Sequence, residues 1–90
     1  MEFEIAVGHW RDEAGGLRRV HYYLQVETVE SGGFCCENYG VRVSEEEGGS
    51  AAVPNITTSA LRIDELISLL VEHKVGPTAL PDVVADWLSI

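Results

Sequence analysis

The chain has 90 residues, 46 % of them hydrophobic, and a formal net charge of −9. That length predicts one domain, residues 1–90, and that composition is too apolar for a disordered acidic chain. Each third of the sequence carries −3, so the acidity is even and no positive patch is available for a nucleic-acid backbone. No apolar run approaches the ~18 residues that span a bilayer. The acidic start, Met1–Glu4, is unlike a signal peptide, so we expect a soluble, cytoplasmic protein with neither nucleic acid nor membrane as its partner.

Four strands are predicted first, separated by glycine-bearing polar turns. They cover about residues 2–9, 17–30, 34–44 and 51–53. In the first strand Phe3, Ile5 and Val7 alternate with Glu2, Glu4 and Ala6, and we expect the apolar three to face the core. Pro54 lacks an amide donor, so it should end the fourth strand at a sheet edge.

The two middle strands alternate as half-buried strands do. Predicted to face inward are Val20, Tyr22, Leu24 and Val26 of the second strand and Cys35, Tyr39, Val41 and Val43 of the third. Predicted to face outward are Arg19, His21, Tyr23, Gln25 and Glu27, with Cys36, Asn38 and Arg42. A bulge at Gly40 would shift this parity in the third strand.

Residues 59–90 predict two amphipathic helices, about 59–75 and 79–89. Thr58 or Ser59 should cap the first, Gly76 and Pro77 should end it, and Thr78 should cap the second. The apolar stripes are Leu61, Ile63, Leu66, Ile67, Leu70 and Val71, then Leu80, Val83, Val84, Trp87 and Leu88. Strands followed by helices predict an α+β fold: an antiparallel three- to four-stranded β-meander with two C-terminal helices packed on one face.

No residue pattern predicts catalysis, a cofactor or a metal site. Cys35 and Cys36 are neighbours on a strand, so one thiol should be buried and the other exposed, and their spacing is neither that of a zinc site nor that of a redox pair. Asp82 and Asp86 lie one helical turn apart, an arrangement that is usually just solvated. A thiol or metal-dependent enzyme that uses Cys36 with His21 is the weakest of the functional alternatives.

Several segments together resemble a known family. They are Tyr39-Gly40-Val41-Arg42-Val43, Pro54-Asn55-Ile56-Thr57, Val75-Gly76-Pro77, Leu80 and Asp82-Val83-Val84-Ala85-Asp86-Trp87-Leu88. They resemble a family of short uncharacterised clostridial (Firmicutes) proteins classed as a domain of unknown function. The likeness covers roughly Tyr23 to Leu88 and leaves the strand Phe3–Trp10 as an extension. The resemblance implies a bacterial cytoplasmic protein, and it carries over no activity and no binding residue.

The sheet face opposite the helices carries polar and aromatic residues that no core explains. The candidate interaction surface is Arg19, His21, Tyr23, Gln25 and Arg42, with Trp10 at its rim. Trp, Tyr and Arg are frequent binding anchors, and a small sheet with an open face often pairs with a copy of itself. We therefore hypothesise a non-enzymatic, acidic protein-interaction or regulatory accessory module, whose partner is another protein or a second copy. The alternative is an acidic inhibitor that mimics nucleic acid, which requires carboxylates concentrated on one face.

Overall fold

Alternating side chains and glycine-bearing turns fold the first two thirds of the chain into one antiparallel sheet. In the computed structural model, which describes residues 1–89, the strands lie in the order β1-β2-β3-β4. Their bounds are β1 Glu2–Arg11, β2 Leu17–Ser31, β3 Phe34–Glu45 and β4 Ser50–Thr57. The predicted α+β meander is confirmed, with all four strands present. Ile90, the last residue of the predicted domain, lies outside the described residues.

The helices α1, Ala60–Glu72, and α2, Leu80–Leu88, follow the sheet. Ser59 caps α1 as predicted, since its Oγ accepts a hydrogen bond from the amide of Arg62 at 3.2 Å. The predicted cap of α2 is wrong: Ala79 holds the N-cap position and makes no side-chain bond, and Pro81 sits in the first turn. Over residues 1–89, neither helix is long and apolar enough to cross a membrane.

The end of α1 also differs from the prediction. Lys74, and not Gly76, takes the left-handed conformation, with φ 51°. The amide of Val75 then donates to the carbonyl of Leu70 at 3.0 Å, and the amide of Lys74 donates to that of Val71 at 3.2 Å. This pair of bonds is a Schellman motif, which satisfies carbonyls that the last helical turn leaves free. It also turns Val75 into the core.

Both helices cover the same face of the sheet, and the core lies between them and the middle of β2 and β3. Its buried members are Val20, Tyr22, Val41, Val43, Ile63, Leu66, Ile67, Leu70, Val75, Leu80 and Val84. The O–H of Tyr22 donates to the carbonyl of Val75 at 3.0 Å, which satisfies a polar group that the core encloses. Leu61 and Leu88, predicted for the apolar stripes, are exposed at the outer sides of their helices.

The prediction that Phe3, Ile5 and Val7 face the core is wrong, because all three are exposed. A break in the β1–β2 register between Glu4 and Ala6 puts Ile5 in a bulge. Beyond the bulge the parity is reversed, so Val7 pairs with His21 on the open face. Phe3 pairs with Leu24 on the helix side and is still 46 % exposed.

The fourth strand is longer than predicted and continues through Pro54 to Thr57. Its register with β3 shifts between Tyr39 and Val41, so the irregularity lies opposite Gly40, whereas the β2–β3 register runs unbroken. The side-chain parity of β3 therefore does not change at Gly40. Asn55 has a positive φ of 56°, which marks the place where β4 bends past Gly40.

The hairpin of β2 and β3 extends well beyond the helices. Residues 27–38 form what we call the arm: two strands joined at Gly32 and Gly33, whose positive φ values suit a two-residue hairpin turn. Residues 27–37 are all exposed. The radius of gyration, 14.2 Å, exceeds the ~12 Å typical of a compact chain of this length, in keeping with the projecting arm.

The arm overturns one further prediction. Cys35 lies on the helix side of the sheet as its parity requires, but it is exposed like Cys36 because no helix reaches that far. The expected contrast between one buried and one exposed thiol is therefore wrong.

The close crossing at Gly40 leads to a stability prediction. A Cβ at this position would lie 2.6 Å from the carbonyl oxygen of Val53 and 2.7 Å from the Cα of Pro54, both backbone atoms. We expect Gly40→Ala to lower the free energy of unfolding by about 1–3 kcal/mol, measured by urea denaturation. Gly49→Ala is the control, since nothing lies within 4 Å of its Cβ position. Equal effects of the two substitutions would show that the crossing is looser than described.

Candidate interaction surface

Five of the six predicted surface residues share the sheet face that the helices leave open. Arg19, His21, Tyr23 and Gln25 alternate along β2, and Arg42 pairs with Tyr23 from β3. We call this side of the sheet the open face. It also includes Glu2, Glu4 and Val7 of β1, by their pairing with the same β2 residues.

Trp10 is the sixth predicted residue, and its placement at the rim of the open face is wrong. After the β1 bulge Trp10 pairs with Arg18 on the helix side, where it is half-buried against the core. The bulge could not be read from the alternation of β1, because the apolar residues on either side of it keep the same period. Trp10 therefore contributes to packing and not to the open face.

A charge pair spans the open face from β1 to β3. The guanidinium of Arg42 donates through Nε and Nη2 to the two carboxylate oxygens of Glu2, at 2.9 and 2.8 Å, a bidentate arrangement. Gln25 lies between them on β2 and donates to Glu2 at 3.1 Å. The bond from Arg42, more than that from Gln25, lowers the pKa of Glu2 to about 2. The pair thus stabilises the fold fully above the ordinary value of 4.5 and loses its contribution as the pH falls toward 2.

Aromatic contacts connect Arg42 of this charge pair to side chains of β2. The guanidinium carbon of Arg42 lies 4.1 Å from the centre of the Tyr23 ring, a cation–π contact. The Tyr23 ring in turn stacks on the imidazole of His21, with 6.3 Å between ring centres. Arg42, Tyr23 and His21 therefore form one continuous row across two strands.

His21 ends the row between two carboxylates. Its Nδ1 is hydrogen-bonded to Glu4 of β1, and its Nε2 lies 3.0 Å from Oε2 of Glu46 in the β3–β4 turn. Arg19 approaches the same Glu46 oxygen at 3.8 Å. The hydrogen bond to Glu4 first, and that to Glu46 second, raise the pKa of His21 above its ordinary value. Protonated His21 thus ties β1 to the β3–β4 turn.

These contacts supply a structural reason for residues that the sequence left without one. Arg19, His21 and Arg42, the basic residues of the candidate surface, each have a carboxylate beside them on a neighbouring strand or turn. Glu46 was missed, because a turn of three glutamates gives no indication of which one reaches back to β2.

The arm carries the exposed apolar side chains that sequence reasoning missed. On the open-face side Val29 pairs with Cys36, and Phe34 follows at the tip. Phe34 is 81 % exposed and Val29 is 38 % exposed. The predicted strand lengths already contained a signal, since a second strand of residues 17–30 is much longer than a first strand of residues 2–9 and must project beyond it.

In the part of the chain that the structure describes, the side chains form no metal site and no paired thiol site. Over residues 1–89 no group of three or more His, Cys, Asp or Glu side chains is placed to hold a metal ion. Cys36 lies on the arm, whereas His21 lies beside Glu4 and Glu46. The pair required by the enzyme alternative is therefore not brought together.

A family model described as a family of unknown function, DUF6514, matches residues 1–90. The chain belongs to this family. The DUF6514 match includes β1, so the interpretation of the N-terminal strand as an extension outside the family likeness is wrong. Searches of the curated proteins and of the solved structures give no match.

The contacts of His21 predict a pH-dependent stability. Because the pKa of His21 is raised in the folded protein, its contribution is complete below the unfolded-state value and is lost as the pH rises through the folded-state value. We expect the difference in unfolding free energy between the wild type and His21→Gln to be larger at about pH 6 than at about pH 8.5. Urea denaturation at both pH values measures it.

Glu46→Gln provides the matched comparison, because it keeps His21 and removes one of its carboxylate partners. The imidazole resonances of His21 should then titrate at a lower pH by NMR. An unchanged titration in this variant would contradict the contact between the two side chains.

Proposed function

We propose that the protein is a non-enzymatic interaction module that binds another protein through the open face and the arm. The observation that carries this proposal is Phe34, a large apolar side chain that is 81 % exposed at the tip of a projecting hairpin. The helix-covered core already encloses the apolar side chains that the fold requires. A large apolar side chain that projects into solvent is a typical binding anchor.

The arm also has little means of stabilising itself. An isolated two-stranded hairpin is at best marginally stable in water. In the part of the chain that the structure describes, no third strand and no helix covers either side of the arm, since residues 27–37 are exposed throughout. A partner that covers it would supply the missing layer. This supports contact through the arm over contact through the helices, whose apolar faces are occupied by the core.

The open face contributes differently. Its charges already satisfy one another, through Arg42 with Glu2 and His21 with Glu4 and Glu46. Such pre-paired groups cost a partner desolvation and add orientation more than affinity. We therefore assign the anchor to the arm, and to the open face the role of an adjoining polar rim.

The nucleic-acid mimic is the less favoured alternative. A mimic requires free carboxylates concentrated on one face. On the open face Glu2, Glu4 and Glu46 each have an arginine or histidine partner, and the glutamates of the arm lie on both sides of its ribbon. We also propose that the protein works in a bacterial cytoplasm. Two exposed thiols without a disulfide suit a reducing compartment, and the sequence resemblance implies a bacterial one.

Substitution at the tip of the arm tests the interaction function. We expect Phe34→Ser to lower partner binding at least about tenfold, a loss typical of a central anchor, with the unfolding free energy unchanged within about 0.5 kcal/mol. Binding is measured by affinity capture of the tagged protein from its native cells, with quantitative mass spectrometry. Leu61→Ser on α1 is the matched control, since Leu61 is a large apolar side chain outside the arm that is 69 % exposed. Equal capture by both variants and the wild type would refute this role of the arm.

A further inference from the structure

We infer that the partner is a basic protein with a cleft that encloses the arm on several sides and takes Phe34 into an apolar pocket. This inference rests on the interaction function proposed above and adds the chemistry of the partner. It follows from three properties of the arm: its charge, its dimensions and the position of its apolar side chains.

The charge of the arm has one sign. Its acidic residues are Glu27, Glu30 and Glu37, and residues 27–38 contain no Lys, Arg or His. In the described residues none of the three glutamates takes part in an ion pair. By contrast, Arg42, Arg19 and Arg18 each have a carboxylate partner within 4 Å elsewhere in the molecule. The arm therefore offers a partner uncompensated negative charge, which a basic surface complements.

These glutamates lie on both sides of the ribbon. Glu27 belongs to the open-face side, by its pairing with Asn38, whereas Glu37 pairs with Thr28 and Glu30 with Cys35 on the helix side. A flat surface laid on one side would leave part of the charge uncovered. A basic partner that meets all three must reach around the arm.

The dimensions of the arm also favour a partner that encloses it. At ~3.4 Å per residue and with a width and thickness of ~10 Å each, the ribbon is ~20 Å long, so one of its sides offers only ~200 Å². Specific interfaces bury about 800 Å² on each partner, so one side of the arm supplies only about a quarter of that area, and the other sides of the arm and the adjoining open face must supply the rest. Within residues 1–89, pairing on the β1 side reaches only Val26, through Met1, and β4 reaches only Tyr39, so neither covers the side chains or backbone edges of the arm.

A second copy of this chain fits these constraints poorly. Two arms packed side against side would bury only ~400 Å² in total, well below the ~1,200 Å² of a stable interface. Each chain also carries −9, and facing arms would bring together like charges. The same negative charge disfavours the binding of a nucleic acid or an anionic membrane. The occupant that remains is a basic protein.

Site-specific photo-crosslinking tests this inference on the full chain in its native cells. The probe is p-benzoylphenylalanine in place of Phe34, with the same residue in place of Leu61 as the background control. Crosslinked peptides are sequenced by mass spectrometry. We expect position 34 to capture one protein above the background at position 61, through a segment with an excess of Lys and Arg.

Two charge-reversal variants of the probe protein test the electrostatic part. The first is Glu27→Lys, Glu30→Lys and Glu37→Lys in the arm, and the second is Asp64→Lys, Glu65→Lys and Glu72→Lys on the exposed side of α1. Both change the net charge equally. We expect the arm variant to lose capture at least about tenfold and the α1 variant to retain it. Raising the salt concentration should lower capture by the unaltered arm.

The outcomes separate the inference from the function on which it rests. No capture above background at position 34 overturns both. Capture of a neutral or acidic segment, of a second copy of this chain, or of a protein whose yield is indifferent to reversal of the arm charges overturns the basic cleft and leaves the interaction function standing. Capture of a basic segment that only the arm reversal abolishes supports both.

Discussion

The hydrogen bond from Tyr22 to Val75 connects every layer of this fold. Tyr22 lies on β2, the strand between β1 and β3, and its ring is buried under the helices. Its O–H donates to a carbonyl in the connection between α1 and α2, at 3.0 Å. Leaving that hydroxyl buried without an acceptor would cost about 1–3 kcal/mol. One contact thus fixes the end of α1 and the start of the second helical segment against the middle of the sheet.

Neighbouring features are arranged around this contact. Val75 reaches it because the Schellman motif at Lys74 turns the chain inward at the end of α1. On the other side, Gly8 of β1 lies over the Tyr22 ring, where a Cβ would be 3.4 Å from Cε2. The β1 bulge is what brings Gly8 and Ala6 to the helix side, and it sends Val7 to the open face. The exposure of Val7 is therefore a consequence of fitting β1 around a buried tyrosine.

A core centred on Tyr22 is shorter than the sheet that supports it. α1 has 13 residues and α2 has 9, whereas β2 alone has 15 residues in extended form. Beyond Val26 and Tyr39 the sheet continues with neither β1, β4 nor a helix beside it. The molecule accordingly has two regions with different physical character: a helix-covered sheet whose open-face charges are internally paired, and an arm whose apolar tip and glutamates are not.

Much of the architecture follows from the sequence, because it depends on periodicities that local side chains determine. The alternation of Val20, Tyr22 and Leu24 fixed the faces of β2, and the spacing of Ile63, Leu66 and Leu70 fixed the buried side of α1. What failed were features set by tertiary contacts. The bulge at Ile5 reverses β1 without any break in its apolar period, and the left-handed residue at the end of α1 is Lys74, although Gly76 is the residue with the freer backbone.

Part of the candidate site was also predicted from strand periodicity, whereas the part that depends on tertiary contacts was not. The parity of β2 correctly placed Arg19, His21, Tyr23 and Gln25 on one face, and cross-strand register then brought Arg42 beside them. Register also supplied Glu2, Glu4 and Glu46 as their partners, which alternation alone does not reveal. Trp10 was misplaced by the β1 bulge. The arm was not predicted, because its side chains alternate as they do in a strand that a helix covers. Only the difference in length between the predicted strands indicates that this part of the hairpin projects.

The central claim is that the arm contributes little to the fold and is available for binding. It is tested most directly by replacing residues 28–37 with Asn-Gly, which joins the paired residues Glu27 and Asn38 through a two-residue hairpin turn; this pair has the same parity as Ser31 and Phe34 beside the present turn. Urea denaturation should give a free energy of unfolding within about 1 kcal/mol of the wild-type value, because the core around Tyr22 is left intact. A loss of several kcal/mol, or failure of the shortened chain to fold, would show that the arm is part of the cooperative structure and would contradict this account.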